Sequence, residues 1–173
     1  MIRTWTPERE RATPPGTVDY RTVKAWFQQC RDGAACVEAQ KRKIERIREL
    51  SEKTTPSMTG MPGGGGVGDK IGSGASKIVD EQRELQRMET DLCNLRIEAT
   101  RRAYSISGTK SSKWQAECLC LFYVKGKKQR EICDELGLAE ENQVSTYIKC
   151  GCIHLAKDWD KFHVTDMRPI WDK

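Results

Sequence analysis

The longest regular pattern of apolar positions lies in residues 75–104. Ile78, Leu85, Leu92 and Ala99 recur every seven residues, and Glu81, Met88, Leu95 and Arg102 fill the second position of the same seam. A seam of that period predicts one long helix that pairs with another helix. Two members of the second series are charged, so the seam is imperfect. Upstream, Val37, Ile44 and Ile47, with Leu50 beside them, predict a helix over about 34–53. Before it, Thr17 or Asp19 caps a shorter helix that carries Val23, Trp26 and Phe27 on one face and stops near Asp32-Gly33. The seam of 75–104 has two available partners. Folding back on 34–53 makes an intramolecular hairpin, and meeting a second copy makes a dimer; both hold together in a bundle.

Downstream, the spacing predicts three shorter helices. Trp114, Cys118, Leu121 and Phe122 continue a helix that ends near Gly126, and Lys125-Gly126-Lys127 turns the chain. Ile132 and Leu136 share one face of the next helix, which Gly137 stops by taking a positive φ. Val144 and Ile148, extended by Cys152 and Leu155, form the buried stripe of the last. Helix, Gly-bearing turn, helix is how a helix-turn-helix reads, with its second helix shaped for the major groove of DNA. Gln143, Ser145, Thr146 and Lys149 then point outward, and Asn142 falls in the first turn. Asn and Gln pair bidentately with adenine, Ser and Thr donate or accept, and Lys reaches guanine or phosphate.

Between these helices the chain breaks where Pro and Gly gather. Residues 1–33 are an arm with Pro7, Pro14, Pro15 and Gly16, then the short helix. Residues 34–104 are the hairpin, with a joint at 54–69 where Pro56 and Pro62 exclude a helix interior and Gly63–Gly66 leave the backbone free. A polar hinge at 105–112 leads to the helix-turn-helix of 111–160, and 161–173 form a tail with Phe162, His163, Pro169 and Trp171. The expected fold is all-α: an N-terminal helix and a long helical hairpin or coiled coil, followed by a C-terminal helix-turn-helix domain.

Charge changes this picture in one respect. The chain of 173 residues carries +5 overall, unevenly spread. Residues 1–53 hold twelve Lys/Arg against eight Asp/Glu, residues 54–110 eight against seven, and residues 111–173 ten against ten. A DNA reader ordinarily carries a basic footprint, because phosphate contacts supply most non-specific affinity. The last segment lacks one. Lys127 and Lys128 are its nearest candidates, and Lys41, Arg42, Lys43 and Arg46, in the densest basic run of the chain, are candidate auxiliary contacts. A solvated helix face is the competing account of that run.

Enzyme chemistry finds no footing. There is no Ser/His/Asp set, no carboxylate pair in a plausible pocket and no metal motif. Gly63–Lys70 misses the phosphate-loop pattern, because Asp69 intervenes, Ile71 follows the Lys and no strand precedes. Eight Cys include the pairs Cys118-Leu-Cys120 and Cys150-Gly-Cys152. On a helix, positions two apart point about 200° apart, so neither pair chelates one ion, and buried small apolar residues explain them better. No cofactor or metal is expected. No apolar run approaches the ~20 residues that span a bilayer, and no signal peptide opens the chain, so a cytoplasmic protein with reduced thiols is expected.

The run Leu119–Leu155, through Leu121, Tyr123, Gly126, Glu131-Ile132, Leu136-Gly137 and Val144, resembles region four of bacterial sigma factors. Lys53-Thr54-Thr55-Pro56, Met61-Pro62-Gly63-Gly64-Gly65, Asp69-Lys70 and Lys77-Ile78-Val79-Asp80 resemble small phage regulators that attach a helical hairpin to such a domain. The resemblance covers roughly residues 37–157. It implies a phage or prophage transcription regulator in a bacterial host, of the type that activates late or packaging genes. Implied partners are double-stranded DNA, RNA polymerase and further copies of the chain, with a dimer first. One departure is local. The family places Ser or Thr one residue after the turn hydrophobe and Val four residues later, whereas Ala139 follows Leu138 and Val144 lies five on. Either Glu140 caps the helix in a turn longer by one, or the turn is remodelled. Two other readings remain in play: a factor that contacts polymerase or another host protein with little DNA readout, and a small packaging subunit.

Overall fold

The computed structural model describes residues 18–53, 70–108 and 110–159; the expected arm, Gly-rich joint and tail lie outside them. The described residues are all-helical, with no strand among them. Two long helices come first, α1 (Tyr20–Lys53) and α2 (Lys70–Tyr104). Three shorter ones follow, α3 (Ser112–Leu119), α4 (Gln129–Leu136) and α5 (Glu141–Lys157). A π-helical turn, Cys120–Val124, extends α3.

The stop expected at Asp32-Gly33 does not occur: α1 runs through both residues. Glycine inside a helix costs about 1 kcal/mol relative to Ala, and packing offsets it. Val23, Cys30, Val37 and Ile44 recur every seven residues and are all buried, and Trp26 and Gly33 of the companion series are buried too. The stripe therefore crosses Gly33 without a break in phase. A glycine with no proline beside it was too weak a stop signal. α2 likewise starts at Lys70, earlier than the apolar series that marks it.

α1 and α2 lie side by side and antiparallel. Near one end Lys43 and Gln40 reach Glu81, further along Lys41 meets Glu89 at 3.0 Å, and near the other end Trp26 lies against Arg102. Both charged members of the α2 seam thus have a definite task. Glu81 accepts from Gln40 Nε2 at 2.7 Å and from Lys43 Nζ at 2.6 Å, tying the helices across their apolar seam. Lys43 and the Gln40 amide together hold the Glu81 carboxyl below the usual carboxylate range.

One core joins the N-terminal part of α1, the C-terminal part of α2 and all three short helices. Val23, Phe27, Leu95, Leu119, Tyr123, Ile132, Val144 and Leu155 are among its members. The segment expected as a polar hinge is pinned at one point, because Ile106 is buried in this core. Gly108 takes φ +85 just beyond it. At the opposite end of α1, Leu50 is 65% exposed. α1 therefore has two halves with different jobs: one is built into the C-terminal core, the other, among the described residues, packs on α2.

Candidate nucleic-acid interface

Each turn that aims α5 has a physical cause. The π-helical turn closes with Lys125 N–H donating to the Cys120 carbonyl at 3.0 Å, and Gly126 then reverses the chain at φ +72. α4 starts after Lys128, whose backbone N–H donates to the Glu131 carboxylate at 2.8 Å, a local satisfaction of a helix-end donor. It ends at Gly137, in the left-handed region at φ 65 and ψ 34. Leu138 N–H donates to the Cys133 carbonyl at 3.0 Å, and Leu138 packs on the core, as in a Schellman ending. Glu140 is the N-cap of α5 in an extended conformation, without a side-chain cap bond. The extra residue between Leu138 and Val144 is absorbed there, so Ala139 has no capping to do.

α5 is fixed from below by Val144, Ile148, Cys152 and Leu155. Gly151 is where it approaches α3. A Cβ on Gly151 would stand 2.8 Å from Leu119 Cδ1 and 3.4 Å from Gln115 Cβ. The Cys150-Gly151-Cys152 stretch therefore marks a close helix crossing. Burial pushes the Cys152 and Cys118 thiols up to about 12, which keeps them neutral. Among the described residues no group of three or more His, Cys, Asp or Glu is placed to hold a metal ion. His154 Nδ1 lies 2.7 Å from Oε1 of buried Gln115, so its ring is committed to a structural hydrogen bond.

The five α5 residues expected to face outward, Asn142, Gln143, Ser145, Thr146 and Lys149, are all exposed. Helical spacing divides them. Asn142, Thr146 and Lys149, at i, i+4 and i+7, form one row, whereas Gln143 sits at one edge and Ser145 at the other. Thr146 donates its hydroxyl proton to the Asn142 carbonyl at 2.9 Å, and Ser145 Oγ accepts from Gln129 Nε2 at 2.9 Å. Asn142 and Lys149 keep their polar ends outside these bonds, and Lys149 Nζ lies 5.6 Å from the Tyr20 ring centroid. Lys128 is exposed beside α4. Lys127 pairs with Glu135 at 2.6 Å and holds that carboxyl below its usual range, so much of its charge is spent locally.

The expected auxiliary residues are not brought to this surface. Lys41 and Lys43 are paired with Glu89 and Glu81 of α2. Arg42 donates to the Glu38 carbonyl at 3.3 Å, and Arg46 is exposed on the same half of α1. That half packs on α2, away from α5. The N-terminal half of α1 stands there instead. Tyr20, Lys24 and Gln28, four residues apart, line a cleft of about 430 Å³ together with Gln129 of α4 and Ser145 and Lys149 of α5. Arg31 follows, its guanidinium 4.4 Å from the Phe122 ring centroid and donating to the Phe122 carbonyl. Sequence reasoning missed these residues because it ended the helix at Gly33 and left 1–33 as a separate piece. Their four-residue spacing, flanking the stripe of Val23, Phe27 and Cys30, was the available signal.

No family model matches this chain, and no curated protein or solved structure matches it either.

Proposed function

We propose that this chain is a sequence-specific DNA-binding transcription regulator, with α4, the Gly137–Glu140 turn and α5 as its helix-turn-helix and α5 as the recognition helix. The observation that supports it most is the division of α5. Its buried stripe is locked into the core, while Asn142, Thr146 and Lys149 form an exposed polar row along one side. A rigid helix presenting an amide and a hydroxyl one turn apart, with an ammonium at the edge of the row, suits base edges and the adjoining backbone in the major groove. The resemblance to sigma region four and to small phage regulators gives the reading its biological setting: a phage or prophage activator working with bacterial RNA polymerase in the cytoplasm. The helical hairpin is the natural element for self-association, a dimer offering two recognition helices to two half-sites. Activation then needs only added contact free energy at the promoter, each ~1.4 kcal/mol raising polymerase occupancy about tenfold.

The test is fluorescence anisotropy of the full chain with intergenic fragments of its own genome and shuffled controls. A preferred fragment should bind at least about tenfold more tightly, and Asn142→Ala or Gln143→Ala should remove about 1–3 kcal/mol of that preference. Sequence-blind binding by the wild-type protein would refute it. One observation favours a second reading, a factor that acts mainly by touching polymerase: residues 111–173 carry no net charge. Under that reading the same variants keep full activity in transcription while losing affinity for DNA.

A further inference from the structure

The neutral balance of residues 111–173 leaves a question for any DNA reader built from α3–α5 alone: what holds the phosphates beside α5. The fold supplies cations from a distant part of the chain. Lys24 of α1 and Lys149 of α5 line one cleft, and the other polar side chains on its rim are Tyr20, Gln28, Gln129 and Ser145. No carboxylate lines it. Among the described residues, no Asp or Glu stands within ion-pair distance of either ammonium, in contrast to Lys41, Lys43 and Lys127, which are all paired. Asp32, one turn beyond Gln28, accepts from the Gln28 amide at 2.9 Å through its exposed carboxylate and does not line the cleft.

The position of the cleft matters as much as its charge. Ser145 and Lys149 form the α1-facing edge of α5, so the cleft runs beside the proposed recognition helix. The major groove is about 12 Å wide and a helix with its side chains spans about 10–12 Å. A helix seated in the groove therefore brings the flanking sugar-phosphate strand against whatever lines its edges. On this edge that is the start of α1.

We infer that this cleft is a seat for the DNA backbone, with Lys24 and Lys149 bracketing a phosphate and α1 serving as a part of the DNA-binding surface. The inference rests on the helix-turn-helix reading and deepens it. Lys24 contacts phosphate only, so it adds affinity without sequence preference, and a helix far from the motif in sequence contributes half of the cationic pair.

The experiment is anisotropy of the full chain with a labelled duplex and its shuffled counterpart, titrated between about 50 and 200 mM salt. Lys24→Ala should lower the magnitude of the log–log salt slope by about 0.9 and weaken both duplexes by the same factor, about fivefold to tenfold. Lys24→Arg should restore the slope. Lys77→Ala, an exposed lysine on α2, should leave it unchanged, and Asn142→Ala should alter preference rather than slope. A wild-type slope in Lys24→Ala, with binding otherwise intact, overturns the phosphate seat and leaves recognition by α5 standing. Absence of duplex binding by the wild-type protein overturns both. Displacement of the duplex by poly-glutamate at equal charge concentration, abolished in Lys24→Ala, assigns the cleft to an acidic protein surface and overturns the DNA assignment.

Discussion

Arg102 is the residue whose loss should reveal most about how the two halves of the chain are joined. It sits in the apolar seam of α2, yet it is only 3% exposed. Its guanidinium carbon lies 4.5 Å from the ring centroid of Trp26 on α1 and 4.4 Å from that of Trp159, just beyond α5. The two indoles also meet edge to face, 5.4 Å apart at 76°. Arg102 Nε donates to the Glu98 carboxylate at 2.8 Å, one turn back on the same helix. One planar cation thus fastens α1, α2 and the residue that follows α5.

The magnitude follows from the burial. A desolvated cation–π contact contributes about 2 kcal/mol, so two such contacts come to roughly 4 kcal/mol. The bond to Glu98 adds less than the ~1.5–3 kcal/mol of a buried charged hydrogen bond, because Glu98 is partly in water. Against this stands the desolvation of the guanidinium, several kcal/mol before its partners are counted. Arg102→Ala removes the contacts and that cost together but leaves a hole between two indoles, and the expected net loss is about 3 kcal/mol. Lysine keeps the charge and loses the stacked plane, so Arg102→Lys should lose about half as much. Methionine refills the volume without charge. Urea unfolding followed by tryptophan emission and by circular dichroism measures all three, with an unchanged m-value as the sign that only stability moved. For a chain of this size ~3 kcal/mol corresponds to a fall in Tm of roughly 6–12 °C. Arg102→Met within about 0.5 kcal/mol of wild type would refute the reasoning, since volume alone would then account for the site.

Three further substitutions test separate joints. Gly137→Ala should cost about 1 kcal/mol in thermal unfolding, purely from the left-handed backbone at φ 65, because a Cβ there meets nothing within 4 Å; no loss would mean that the turn before α5 relaxes. Gly151→Ala should destabilise by about 1–2 kcal/mol despite the better helix propensity of Ala, because its Cβ falls 2.8 Å from the end of fully buried Leu119; a more stable variant would refute the close crossing of α3 and α5. Glu81→Gln should flatten the acid limb of stability. The Glu81 carboxyl is depressed in the folded state by Lys43 and Gln40, so its contribution is complete above the ordinary carboxylate pKa and fades as pH falls through the lower folded value. Urea midpoints of wild type and variant should therefore converge toward low pH.

How much of this was legible beforehand depends on whether a residue's partner lies near it in sequence. The seam of α2 was written at intervals of seven, and its buried members are where that period puts them, since burial on a helix is a local, periodic property. Gly137 and the α5 stripe were legible for the same reason: a left-handed glycine and a three-to-four spacing are decided within one turn. The charged members of the seam were read only as imperfections. Glu81 and Arg102 acquire their roles from Gln40, Lys43, Trp26 and Trp159, and no local rule pairs residues 38 or more positions apart. The same limit explains the misplaced end of the first helix. A glycine costs about 1 kcal/mol wherever it sits in a helix, and only the tertiary stripe from Val23 to Ile44 decides whether the chain bears it.

The continuity of α1 through Gly33 ties the proposed DNA-binding surface to the half of the helix that packs on α2. A helix broken at Gly33 would leave residues 18–33 free to move against 34–53. One rigid helix instead carries Lys24 beside α5 at one end and Lys41 and Lys43 beside α2 at the other. Any event that reorients the distal half, such as pairing with a second copy, must also move the proposed phosphate seat or strain the helix. A Gly-Gly insertion after Gly33 separates these outcomes. If α1 acts as a lever, inserting Gly-Gly there should lower DNA affinity by about as much as Lys24→Ala while leaving the Asn142-dependent preference intact. Equal affinity with and without the insertion would show that the two halves of α1 act independently.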